Sequence, residues 1–278
     1  MLKKDGHSHT EFCPHGSGED VELMIQKAIR MGFQAYSITE HAPLPPDFKR
    51  EYAGLETGLT TASMSMTDLP AYFKKCRQMQ QKYSSQIQIN VGFELDFLPH
   101  HVAWTREFMN EYGPQTTDNV LSVHFMQGRD NHFWCVDDTL QDFKKGLLTH
   151  AQGGQQLYQQ YFEALITAAK ADLGDYTPKR IGHITLIKKF QDYFGLPHDY
   201  SATTQSVIST LLKTIQTQGK ELDYNAAGLY KEFCNETYPD FNILQQAKAL
   251  GIPLVYGSDA HSIKEVGHGY HTLMAQIY

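Results

Sequence analysis

Two histidines flank a serine near the start of the chain, His7-Ser8-His9, and a similar pattern returns near its end as Asp259-Ala260-His261. On extended backbone, residues two apart face the same side, so each triplet presents two ligand-type groups together. Imidazole and carboxylate hold divalent transition metals, and a held ion activates water and polarises phosphoryl or carbonyl oxygens. His15, His41, Glu94, His124 and His183 lie between the two triplets. The chain has 14 histidines in 278 residues and no histidine-rich tract, so only a fold can gather these groups.

Other chemistries lack their signatures. Cys13, Cys76, Cys135 and Cys234 form no Cys-x-x-Cys pair and read as free thiols in a reducing compartment. No Gly-x-Ser-x-Gly elbow supports a serine nucleophile. Gly16-Ser17-Gly18 and Gly153-Gly154 match neither a phosphate loop nor a dinucleotide fingerprint. Lys and Arg number 24 against 31 Asp and Glu, a net charge of -7 with no basic block, which argues against a polynucleotide partner. No run of 18 apolar residues occurs, and Leu2-Lys3-Lys4-Asp5 leads into polar sequence, so no membrane partner and a cytoplasmic protein are expected. Hydrophobic residues make up 41% and charged residues 20%, an ordinary globular composition.

No repeat or linker divides the chain, which reads as one domain over residues 1–278. Seven segments read as strands: Leu2 to Gly6, Phe33 to Thr39, Ile87 to Phe93, Asn119 to Val123, Arg180 to Gly182, Glu221 to Tyr224 and Pro253 to Tyr256. Helical spacing lies between them: Val21, Met24, Ile25, Ala28 and Ile29 before a stop at Gly32; Leu69 to Met79 with Thr67 as cap; Gln155 to Ala171; a helix opened by Ser201 or Thr203; and Phe241 to Leu250, ended by Gly251. Strands alternating with helices give a parallel sheet, closed or nearly closed into a barrel. Each strand is followed by a polar or ligand-type group: His7 and His9, His41, Glu94 with Asp96, His124, His183, Asn225, then Asp259 and His261. In a parallel barrel these ends share the face that carries active sites.

The segments Asp5-Gly6-His7-Ser8-His9, Phe12-Cys13-Pro14-His15-Gly16, Thr39-Glu40-His41-Ala42-Pro43, Gly92-Phe93-Glu94, Ser122-Val123-His124, Gly182-His183-Ile184 and Ser258-Asp259-Ala260-His261 resemble, in this order, the polymerase-and-histidinol-phosphatase (PHP) superfamily and within it the histidinol-phosphatases. The resemblance spans positions 7 to 261 and implies a distorted seven-stranded (β/α) barrel, TIM-like, with three divalent metals, zinc, manganese or iron. It implies that His7, His9, Glu94 and Asp259 hold one metal, that Glu94, His124 and His183 hold a second, and that His15, His41 and His261 hold a third. Six positive charges less two carboxylates and one hydroxide leave three, which suits a phosphate dianion.

The activity implied is hydrolysis of L-histidinol phosphate, a small-molecule monoester, by attack of a metal-bound hydroxide on phosphorus. Glu94 would bridge two metals. Asp259, or a metal-bound water, would protonate the leaving alkoxide. Arg180, close to His183, is a candidate phosphate clamp, since a guanidinium matches a phosphoryl group. Asn225 is a candidate to orient the ester, and Phe12, Glu40, Phe125 and Asp96 are candidates for the wall around the imidazole and amine. Asp96 fits equally as a partner that orients a histidine. A PHP-type nuclease or nucleotide phosphoesterase, and a non-catalytic metal-binding PHP module, are the competing readings. The sequence leaves the oligomeric state open.

Overall fold

The structure, a computed structural model, describes residues 2–277. Seven parallel strands form one sheet: β1 (Lys4–Asp5), β2 (Ala35–His41), β3 (Gln88–Asp96), β4 (Val120–Ser122), then, beyond a hairpin of β5 (Phe125–Gln127) and β6 (Phe133–Cys135), β7 (Arg180–Ile181), β8 (Glu221–Asn225) and β9 (Leu254–Gly257). Their order in the sheet is β1-β2-β3-β4-β7-β8-β9. The ring closes where Gly6 N–H donates to the Tyr256 carbonyl at 2.8 Å and Asp259 N–H to the His7 carbonyl at 2.8 Å. β2 is buried along its whole length, as expected of a parallel strand covered on both faces.

Helices pack outside the ring: α1 (Val21–Arg30), α2 (Glu56–Thr60), α3 (Leu69–Tyr83), α4 (Val102–Tyr112), α5 (Gly154–Lys170), α6 (Ala202–Thr217), α7 (Phe241–Ala249) and α8 (Tyr270–Ile277). Asp20 caps α1 by accepting from Glu22 N–H, and Gly32 turns the chain with a φ of +75° that a side chain would strain. Ser201, not Thr203, caps α6 through Thr204 N–H. Thr67 does not cap α3: Asp68 stands at its boundary, and the Thr67 hydroxyl pairs with Ser65 instead. The hairpin β5–β6 and helix α4 went unread in the sequence, because both lie inside crossovers whose local pattern competes with no strong alternation. Among the described residues, no helix is long and apolar enough to cross a membrane.

Inside the ring, at the starts of the strands, lies a polar network. Asp118, just before β4, meets the Arg180 guanidinium from β7, accepts from Lys4 of β1 at 2.7 Å, and accepts from the Ser37 hydroxyl of β2 at 2.5 Å. Arg180 is only 1% exposed. A Cβ at Gly6 would collide with its Nη1, so glycine lets the chain leaving β1 pass beside the guanidinium.

Candidate active site

At the opposite ends of the same strands, the ligand-type residues meet. Glu94, on β3, stands at their centre. Its Oε1 lies 2.8 Å from His183 Nε2 and 3.6 Å from His124 Nε2; its Oε2 lies 3.1 Å from His41 Nδ1, 3.3 Å from His7 Nε2 and 3.6 Å from His9 Nε2. The two oxygens therefore face two different sets of imidazoles. Asp259 Oδ1 lies 3.1 Å from His9 Nε2 and 3.7 Å from His7 Nε2. His15 Nε2 and His261 Nε2 approach to 3.0 Å, and His9 stacks between His41 and His261 at 4.2 and 4.0 Å.

A surrounding layer aims these groups. The Asp223 carboxylate faces His7 Nδ1 at 2.8 Å, Glu40 faces His9 Nδ1 at 3.2 Å, and Asp96 faces His124 Nδ1 at 2.9 Å. Each leaves the ring's Nε2 turned inward, as partners do for metal-binding imidazoles. The Ser122 hydroxyl donates to Glu94 Oε1 at 2.5 Å, and Asn225 Nδ2 donates to Asp259 Oδ2 at 3.1 Å. Asp259 itself takes a φ of +55°, a left-handed backbone unusual outside glycine and a form of strain found at functional sites.

Burial acts on every charge here and is outweighed where opposite charges crowd in. It raises the Glu94 carboxyl, but His7, His124, His41 and His183 bring it well below the ordinary range. Burial lowers His9 and His124, yet Asp259 and Glu40 push His9 up to about 9, and Asp96 and Glu94 push His124 up to about 10. His41 and His261 are held well below the ordinary histidine value by burial and by the neighbouring His9. The cluster thus binds positive charge in some rings and refuses it in others.

The donor set fits divalent metal ions. Although Glu94 Oε2 stands close to two of them, the buried nitrogens His7 Nε2, His183 Nδ1 and both nitrogens of His41 make no hydrogen bond of proper geometry among the described residues, a costly state unless something coordinates them. His7, His9 and Asp259 present ligand atoms within 4.8 Å of one another, as do His41, Glu94 and His124, and also His9, Cys13, His41 and His261. Cys13 thus lies beside a cluster that the sequence reading built from histidines alone. His41 reaches toward both Glu94 and His261, so the geometry does not divide the ligands into the three sets that the motifs implied.

A cavity of about 350 Å³ opens over the cluster. His15, His41, Glu94, His124, His183, Asp259 and His261 form its floor; Asp96, Phe125, Asp137, Asp138, Lys189 and Lys231 line it further out. Of the candidates for substrate contact, Phe125 and Asp96 line this space, and Asp96 also holds His124.

Four other candidates are corrected by their positions. Arg180 is locked to Asp118 at the far end of the barrel, since it starts β7 whereas His183 follows that strand. Glu40 is fully buried, taking Thr10 N–H at 2.7 Å, His41 N–H at 2.9 Å and His9. Asn225 is fully buried, and its amide serves Asp259 and Asp223. Phe12 packs edge-on against Tyr72 at 6.0 Å, outside the cavity lining.

Sequence reading missed Asp223, although it precedes Asn225 by two and so shares its strand face. It also missed Asp137, Asp138, Lys189 and Lys231, which stand on loops and turns where no periodicity marks them.

The PHP domain profile matches residues 5–227, and a PHP-associated profile matches 242–277. The chain belongs to the PHP family. It is 36% identical over 274 residues to the histidinol-phosphatase of Bacillus subtilis, covering 99% of each chain. The crystal structure of HisK from Listeria monocytogenes, 46% identical, superposes with a TM-score of 0.95 over 97% of this chain and 99% of that one. Histidinol phosphate phosphatase from Lactococcus lactis, solved with zinc, L-histidinol and phosphate, shares the PHP barrel at a TM-score of 0.71 and 18% identity, covering 99% of this chain and 94% of that one.

Proposed function

We propose that this chain is a metal-dependent phosphomonoesterase that hydrolyses L-histidinol phosphate to L-histidinol and inorganic phosphate. The observation that carries the reading is the identity with the Bacillus subtilis histidinol-phosphatase along nearly the whole chain. The cavity supports it, being of small-molecule size and floored by imidazoles around two carboxylates. Residues 1–278 act as one catalytic unit in this reading, although positions 1 and 278 lie outside the described residues.

His7, His9, Glu94 and Asp259 would hold one divalent ion, Glu94, His124 and His183 a second, and His15, His41 and His261 a third. The mixed imidazole and carboxylate donors suit zinc, manganese or iron. Such ions supply Lewis acidity toward the phosphoryl oxygens and a water acidic enough to attack at neutral pH.

The residues of the chain do the rest. Glu94 spans both sets of rings with its two oxygens, so one carboxylate sets their spacing. Asp223, Glu40 and Asp96 fix ring orientation. Asn225 fixes Asp259 Oδ2, leaving Oδ1 toward the floor. Asp259 lines the cavity and, in this reading, it or a water in the site returns a proton to the leaving alkoxide oxygen. The four cysteines are buried and unpaired, which suits the cytoplasm.

The test is phosphate release by metal-reconstituted protein from L-histidinol phosphate, p-nitrophenyl phosphate and a dinucleotide. The reading expects kcat/KM for L-histidinol phosphate to exceed the others by a factor of about 1,000, roughly 4 kcal/mol of discrimination. Equal rates on both monoesters would reduce it to a general phosphatase, and preference for the dinucleotide would replace it with a nuclease.

A further inference from the structure

Six carboxylates line the cavity, and five are answered by a neighbour. Glu94 and Asp259 sit among imidazoles, and Asp96 faces His124. Asp137 takes Lys189 Nζ at 3.2 Å, while the Asp137 carbonyl takes the same ammonium at 2.5 Å. Glu265 accepts from His261 N–H at 2.8 Å. Asp138 differs from all of them. It has no hydrogen bond and no ion pair among the described residues, and it is exposed at the cavity mouth.

Its place is set by close packing. A Cβ at Gly58 would lie 2.5 Å from Asp138 Oδ2 and 2.5 Å from the Tyr52 hydroxyl, so the glycine of α2 lets the carboxylate stand against this wall. Partial burial and then the nearby carboxylates of Asp137 and Asp142 act against its charge, and Lys189, which favours it, is already committed to Asp137. A negative charge without a committed partner therefore faces the space above a floor suited to phosphate.

We propose that Asp138 is the subsite for an alkylammonium group on the alcohol portion of the bound phosphate ester, and so a residue that determines specificity. This rests on the phosphomonoesterase reading above. An ester with a dianion at one end and an ammonium a few bonds away would place its phosphate on the floor and its cation at the mouth. An ester without the cation leaves Asp138 facing water. An exposed pair of this kind is modest in strength. The expected preference is about fivefold.

The test compares O-phosphoethanolamine with ethyl phosphate, which differ chiefly in the ammonium, on the metal-loaded full chain and its D138N and D138E variants. Wild type should favour the ammonium ester about fivefold in kcat/KM, through KM. D138N should bring the ratio close to one, and D138E should restore part of it; thermal melts of each variant confirm folding. A ratio unchanged by D138N, or a wild-type ratio of one, overturns the proposal. Should no monoester be turned over, L-histidinol phosphate included, the phosphomonoesterase reading fails. Calorimetric binding of the same two esters to the metal-loaded protein then decides the Asp138 subsite by the same ratio.

Discussion

Arg180 offers a sharp test, because its position along the chain and its position in space assign it opposite roles. As a phosphate clamp it would govern substrate binding; as found, it is 1% exposed and bound to Asp118 where the barrel strands begin. Arg180→Met keeps much of the side-chain volume and removes the charge. Breaking a buried ion pair from one side costs about 3–5 kcal/mol. Lys4 and Ser37 still answer Asp118, so the lower end, ~3 kcal/mol, applies here. Unfolding entropy of about 2 cal/mol/K per residue gives roughly 0.6 kcal/mol/K for 278 residues, hence a Tm lower by about 5 °C. The KM for phosphate esters should stay within a factor of about two. The acid limb should change as well. Burial raises the Asp118 carboxyl, but Arg180 and Lys4 bring it below the ordinary range, so its ionised form stabilises the native state. That contribution is present above a pH of about 4, the ordinary carboxylate value, and is lost as pH falls through the lowered native value. The variant has less to lose and should show a shallower fall in Tm on acidification. Differential scanning calorimetry and steady-state kinetics measure both. A tenfold rise in KM with an unchanged Tm would refute the structural role and restore the clamp.

Three further outcomes follow from Glu94, the metals it would hold and the layer around it. Asp223→Asn replaces the carboxylate that orients His7, and loss of such a partner should weaken metal affinity or activity by about 10- to 100-fold, read by metal titration and kcat. Chelation should lower the Tm of the metal-loaded protein by about 7 °C if the metals are present at about 1,000 times their Kd, which corresponds to ~4 kcal/mol. Glu94→Gln should abolish most activity and most of that chelator-dependent shift; full activity in this variant would remove Glu94 from the centre of the site.

The barrel was legible because its strands leave local marks. Apolar segments recur between amphipathic helices, and Gly32 and Ser201 mark helix ends by chemistry that acts within a few residues. The floor of the site was legible for a related reason. His7, His41, Glu94, His124, His183 and Asp259 end strands or directly follow them, so one rule of barrel topology gathers them. Asp137 and Asp138 escaped notice because they follow β6, a strand of a hairpin inside a crossover, outside that rule.

What the sequence by itself determined was therefore the seven barrel strands and the groups at their ends, since alternation, caps and spacing are properties of neighbouring residues. The tertiary structure alone decided partnership. Glu40 lies next to His41 in the chain, yet its carboxylate serves His9, and Asp223 serves His7 from across the ring. Arg180 precedes His183 by three positions but belongs to the other end of the barrel with Asp118. Separation along a strand fixes height, and only closure of the sheet fixes which side chains from distant strands share that height, so charge pairing inside the barrel is invisible until the ring is formed.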